Sequence, residues 1–271
     1  LMRLPRLIQK GHLTALAVTA SSYSSGEHVT FYESAQAVQP WVRSQRKAAR
    51  DRITHEHLLA SSAIPFVFPA KGITIDGHTE YFGDRSMRQS APIAAAIHLG
   101  AERVLVIGAG RMHEPRGDST APPSPSYPSL AQIAGHALSN IFLDALSVDV
   151  ERVQRINQTL SLIPEEKRTH SALRPVELLV IAPSQRLDAI AARHVGDLPG
   201  PVRTMLGALG VTSNMADVRG AALASYLLFE QGYTQELMAL GRADTLARRA
   251  DVCRFFGWKD TGAALRTRLP T

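Results

Sequence analysis

The chain has little cysteine, little aromatic surface and no long apolar run. A single cysteine, Cys253, among 271 residues excludes an intrachain disulfide framework and a cysteine-rich zinc site. Its neighbours Val252, Phe255 and Phe256 give it a packed helical setting, which fits a reducing cytoplasm. Aromatic residues are 6% of the chain, which argues against a nucleic-acid binder that stacks bases on exposed rings. No apolar run approaches the roughly 20 residues of a membrane span, and no charged-then-apolar leader is present. The expectation is a cytoplasmic protein without a transmembrane segment, with peripheral attachment to a membrane as its one route to lipid. No Gly-x-Ser-x-Gly pentapeptide occurs, so the chain lacks the serine elbow of the α/β hydrolases.

What is present is ordinary in amount and uneven in placement. Hydrophobic residues are 45% and charged residues 20%, as in a soluble globular protein. The net charge of +6 favours anionic partners such as phospholipid headgroups. The start, Leu1-Met2-Arg3-Leu4-Pro5, opens mid-pattern without a first strand, as a truncated chain would.

Residues 13–20 read as a buried strand and 27–32, with period two, as a half-exposed one. Turn residues Ser21 to Gly26 join them in a hairpin. A basic stretch from Trp41 to Arg52 follows. Residues 57–63 read as a short helix stopped before Pro65. Residues 72–77 and 78–82 form a second hairpin, with Asp76-Gly77 as its positive-φ turn. Tyr81 and Phe82 then lead into Gly83 and Asp84. Ser90 is a candidate cap and Pro92 a candidate first-turn residue for a helix over 93–99, which Gly100 closes. The run 103–108 is nearly continuous in apolar residues and is expected to be buried on both faces, as in a parallel sheet. Strand, helix, strand in that order predicts an α/β fold.

Residues 114–129 are rich in proline and serine and read as a loop. Beyond them the pattern is helical: 130–156, 188–194, 201–209, 217–231 and 236–256, the last broken near Gly241. One further strand is expected at 176–182. The predicted organisation is a first part over 1–113, the loop 114–129, and a helical extension over 130–271 with that added strand.

The segment 83–100 carries the chemistry. Asp84 sits at a strand end, eight residues before Pro92, and Gly100-Ala101 with the strand 103–108 follow. Upstream stand Ala60-Ser-Ser-Ala-Ile-Pro65 and Phe68-Pro69, and Ser25-Gly26-Glu27 turns the first hairpin. This arrangement resembles the C-terminal half of the patatin-like phospholipases, over roughly residues 1–110. The resemblance implies a partial patatin-like sheet with flanking helices. It also implies a serine–aspartate dyad acting on lipid acyl esters without metal or cofactor. Asp84 would be the dyad carboxylate, flanked by Gly83, Arg85, Ser86 and Pro92. The nucleophile segment and the glycine-rich oxyanion segment of that family are absent.

Arg85 departs from the family, which has glycine there. If the position needs positive φ, arginine strains the turn by about 1 kcal/mol. Its cation also lowers the basicity of Asp84. Ser61, Ser62 and Ser86 lie near the motif, but none stands in an elbow, and they read as packing or capping residues. The chain alone is therefore expected to be inactive. Two functions follow: the C-terminal portion of a lipid acyl hydrolase, or a non-catalytic lipid-surface binding or regulatory pseudoenzyme. For the second, Arg43, Arg46, Lys47 and Arg50 are the candidate contacts to an anionic membrane. The same stretch also reads as a solvated helix face or a loop.

Three other patterns carry less. His55-Glu56-His57 has an i, i+2 spacing, whereas helical zinc ligands stand at i, i+4. Gly108-Ala-Gly110 lacks the third glycine of a dinucleotide loop. Arg116-Gly-Asp118 lies in the proline-rich loop and reads as chance.

Overall fold

Two hairpins build most of the principal sheet. Strands β1 (Ala15–Ser22) and β2 (His28–Ser34) pair antiparallel, Val18 opposite Phe31 and Ser21 opposite His28. Strands β5 (Lys71–Ile75) and β6 (His78–Gly83) pair through Asp76 and Gly77, both at positive φ (50° and 81°) as the Asp-Gly turn predicts. The computed structural model describes residues 1–43, 46–65, 67–84, 93–110, 130–168, 173–208 and 223–260, with side chains of the long helix from 146 onward.

The chain divides into two units, residues 1–102 with 137–176, and 103–136 with 177–271. The first unit holds a mixed six-stranded sheet in the order β3-β4-β2-β1-β6-β5. Here β3 is Val42–Arg43 and β4 is Arg46–Arg50, and β4 runs parallel to β2. Within the basic stretch, Val42–Arg43 and Arg46–Arg50 are thus strand, not a helix face or a loop. Arg-Lys-Ala-Ala-Arg has no apolar period of its own, and the open edge of β2 supplies the pairing that local sequence does not.

One face of this sheet is the core. Val18, Ala20, Val29, Phe31, Ile73 and Phe82 pack there with Ala60 and with Leu4 and Ile8. These last come from α2 (His55–Ser62) and from α1 (Leu4–Gln9), a helix with Pro5 in its first turn. Phe31 meets both Phe82 and His57 edge-on. The other face carries Tyr32, which stacks on Trp41, which stacks in turn on His98 of α3 (Ile93–His98). Gly100 follows α3 at φ +100°, the predicted terminator. The first unit also contains the later turns of α4 (Leu130–Ser161) and the short α5 (Glu165–Arg168).

In the second unit β7 (Arg103–Ile107) and β8 (Glu177–Ile181) form a two-stranded parallel sheet. Two sequence expectations are corrected here. β7 does not join the sheet that contains β6. It is also covered on one face only: Val104 and Val106 are buried, while Leu105 is 40% and Ile107 79% exposed. An unbroken apolar run is apolar on both sides whichever side is covered, so its pattern does not separate one buried face from two. The remaining elements are α6 (Leu187–His194), a 3-10 turn (Val195–Asp197), α7 (Gly200–Ala208), α8 (Gln231–Ala247) and α9 (Arg249–Phe256). Of the predicted helix 217–231, residues 217–222 lie outside the described residues; of the rest only 223–225 are helical, 226–230 are turn and irregular chain, and α8 begins at Gln231. The expected break near Gly241 is absent, because α8 runs through it. One interior glycine costs about 1 kcal/mol and is tolerated. The helices part at Arg248 instead, and Gly257 ends α9 in the left-handed conformation. The whole is an α/β protein whose C-terminal part is mostly helical.

Candidate active-site carboxylate

Asp84 immediately follows β6 and is 8% exposed. Its backbone amide donates to the carbonyl of Ala63 at 2.9 Å. Ala63 is the residue at which α2 ends, with Pro65 close behind. The fold thereby joins the segment 60–65 to the aspartate, the two stretches that stand 20 residues apart in the sequence motif. The carboxylate is mounted on a strand end whose backbone is pinned from the side.

Gly83 is crowded by a neighbouring side chain. The aromatic ring of Tyr23 lies against it. A Cβ at this position would come within 2.3 Å of the Tyr23 hydroxyl oxygen and 2.7 Å of two ring carbons. Tyr23 is anchored by its own amide, which donates to the Tyr81 carbonyl at 2.8 Å. Partial burial, and then the charge of Asp84, push the Tyr23 phenol above its ordinary value, so it stays protonated. A phenol donor thus stands in the electrostatic field of the candidate base. The sequence assigns Tyr23 to turn material, and a lone tyrosine among serines carries no pattern that would single it out.

The same strand end gathers further polar groups. Ser21 pairs with Gly83 on one side and His28 on the other. Its hydroxyl is hydrogen-bonded to His28 Nδ1 at 2.9 Å, and both residues are buried. Ser22 donates to Glu80 Oε2 at 2.7 Å. Cross-strand neighbours share a face, so these contacts follow from the register of β1, β2 and β6. A period-two reading of each strand alone does not reveal them.

The serines near the motif are engaged in structure. Ser61 Oγ donates to the Thr19 carbonyl at 2.8 Å, which ties α2 to β1. Ser62 Oγ donates to the Leu58 carbonyl one turn earlier. Arg85, Ser86, Ser90 and Pro92 lie outside the described residues, as do Arg116 to Asp118.

The four basic residues do not share one surface. Successive residues of a strand face opposite ways. Arg46 and Arg50 therefore share a face with Arg43, the cross-strand partner of Arg46, and Lys47 points to the other. Lys47 lies 3.5 Å from Glu80 and 3.7 Å from Glu27. Arg50 donates to the Ser34 carbonyl at 3.2 Å. Arg46 acts on Asp149 of α4, a carboxylate that burial pushes above its ordinary value and that Arg152 and Arg46 pull back.

His57 of the His-Glu-His tripeptide caps its own helix. Its Nδ1 accepts from the Thr54 amide at 3.1 Å, and Nε2 lies 3.4 Å from Asp51. Burial lowers its affinity for a proton, against the pull of Asp51. Among the described residues no group of three histidine, cysteine or acidic side chains is placed to hold a metal ion. Among them, too, no helix is long and apolar enough to cross a membrane. No protein-family model and no curated protein matches the chain.

Proposed function

We propose that this chain is the carboxylate-bearing portion of a serine acyl hydrolase of the patatin-like phospholipase kind. Its substrates would be acyl esters of lipids. The observation that carries this reading is the placement of Asp84. A shielded carboxylate at a strand end, with its backbone amide fixed to Ala63, is a rigid mount for a general base. The serine would come from polypeptide outside these 271 residues. Its hydroxyl proton passes to an Asp84 oxygen as Oγ attacks the acyl carbonyl carbon. The tetrahedral adduct collapses, the ester C–O bond breaks, and the departing alkoxide takes the proton from Asp84. Water then attacks the acyl-enzyme carbonyl, again losing a proton to Asp84, and the serine leaves with that proton as the fatty acid is released.

The 271-residue chain alone is expected to take up no fluorophosphonate and to hydrolyse no short acyl ester. Extended by an in-frame upstream segment with a Gly-x-Ser-x-Gly pentapeptide, it should label at that serine. Replacing Asp84 by asparagine in the extended protein should lower turnover by about 10²–10⁴-fold. Labelling within the 271 residues, or undiminished turnover in the Asp84→Asn protein, would overturn the assignment. So would upstream coding sequence without the pentapeptide.

A further inference from the structure

In the second unit, α6 and α8 meet at a histidine whose two ring nitrogens both face carboxylates. His194 is the last residue of α6. Its Nδ1 lies 2.9 Å from Asp197 Oδ2, at the end of the 3-10 turn. Its Nε2 lies 2.9 Å from Glu236 Oε2 on α8. A neutral imidazole has one N–H and can donate to only one of these; its other nitrogen then sets a lone pair against a carboxylate. The imidazolium donates to both.

The surroundings hold the ring in place. It packs on the first turn of α8, where a Cβ at Gly232 would come within 3.1 Å of His194 Cε1 and Nδ1. It also meets Tyr233 edge-on, with ring centroids 6.0 Å apart, and Tyr233 is 3% exposed. The His194 side chain itself is 18% exposed. A cation here also suits the C-terminal end of α6.

We propose that His194 is a proton-operated latch. Protonated, it ties the end of α6 and the 3-10 turn to the first turns of α8. Deprotonated, it loses one of the two ties and the junction loosens over Tyr233.

The other charged groups around the ring fit this assignment. Arg193, its neighbour on α6, also pairs with Glu236, so α6 presents two cations to that carboxylate. Arg203 of α7 donates to the Gly196 carbonyl and steadies the 3-10 turn that carries Asp197. Asp188 of α6 adds its charge near Tyr233, whose phenol is raised chiefly by burial. The hydrogen bonds from Glu236 and then Asp197 raise the affinity of His194 for its proton. The bonds from His194 and Arg193 depress the Glu236 carboxyl in return. A group raised on folding adds stability that is complete below its unfolded value, here 6.5, and that is lost as pH climbs through the folded value. A depressed carboxyl adds stability above its unfolded value, 4.5, that is lost as pH falls through the folded one. The latch is therefore shut between those two values and opens on the alkaline side.

The test is an imidazole NMR titration of the full chain, with amide hydrogen exchange over 194–198 and 231–236 corrected for the intrinsic pH dependence of exchange. His194 should titrate above 6.5. Protection of these amides should fall about two- to five-fold as it deprotonates, the scale of part-exposed ion pairs. Glu236→Gln should move the titration down and flatten the protection profile. An imidazole that titrates at or below 6.5, or protection that stays constant through its titration, would overturn the latch. These two readouts on the unmodified chain decide the matter even if the variant does not fold.

Discussion

The Tyr23 hydroxyl occupies the space that a side chain at Gly83 would need. An added Cβ would meet the oxygen at 2.3 Å, closer than real Cβ contacts come. The crowding at Gly83 comes from the ring of Tyr23, the residue just after β1, and not from backbone conformation, since Gly83 is not among the residues at positive φ.

Gly83→Ala should therefore displace the Tyr23 ring, which is 47% exposed and can swing toward solvent, and destabilise the protein by about 1 kcal/mol, the low end of the cost of overpacking. The two positions should be coupled. Tyr23→Ala should cost less in the Gly83→Ala background than alone, because the ring has already been moved. Denaturant midpoints of the two single variants and the double variant measure the coupling; strictly additive costs would place the ring elsewhere.

The Tyr23 phenol reports on Asp84 directly. Partial burial and the aspartate charge together hold it above the ordinary 10.0. Asp84→Asn removes only the second cause. The phenol should then ionise at lower pH than in the unmodified chain while staying above the ordinary value. Phenolate absorbance, referenced to Tyr23→Phe, follows this in the 271-residue chain without any need for catalysis.

How far the sequence discloses this arrangement depends on whether a signal is local. Asp76-Gly77 dictates its own turn, Pro65 and Gly100 end helices by their own backbone preferences, and Asp84 stands out only through a resemblance carried by the residues around it. The contacts that define its setting are non-local. Ala63 reaches Asp84 across a hairpin, and Tyr23 reaches Gly83 through a strand register that is set by the whole sheet. The basic strand β4 was hidden because its pairing with β2, not its composition, makes it a strand. The latch at His194 was hidden for the same reason: Glu236 lies 42 residues away, and only the packing of α6 on α8 brings them together.

Asp149 should be a net cost at neutral pH. Among the described residues its buried Oδ2 has no hydrogen-bond partner, and Oδ1 meets Arg152 at 3.4 Å. A buried charge with half its lone pairs unmet is unfavourable. Its carboxyl is raised above the unfolded 3.8, so its contribution is favourable below that value and is lost as pH rises through the folded one. Asp149→Asn should accordingly raise the melting temperature at pH 7. The gain should vanish in acid, where both side chains are neutral. A variant less stable than the parent at pH 7 would mean that the contact to Arg152 and the charge of Arg46 outweigh burial.

The two units should answer acid in opposite ways. In the first, His57 is lowered by burial, and His98 by loss of water on its stacked face and then by the charge of Arg43. Groups lowered on folding add stability that is complete above the unfolded value of 6.5 and lost as pH falls through their folded values. Protonating His57 also removes the Nδ1 lone pair that accepts from Thr54, so α2 loses one half of its capping box while the Thr54 side chain still accepts from the His57 amide. As pH falls below 6.5, amide protection in α2 and α3 should fall, while down to 4.5 it should hold or rise around α6 and the start of α8. Hydrogen exchange resolved by peptide shows both trends in one titration. A common trend in the two units would mean that carboxylates, not these three histidines, govern the response of the chain to acid.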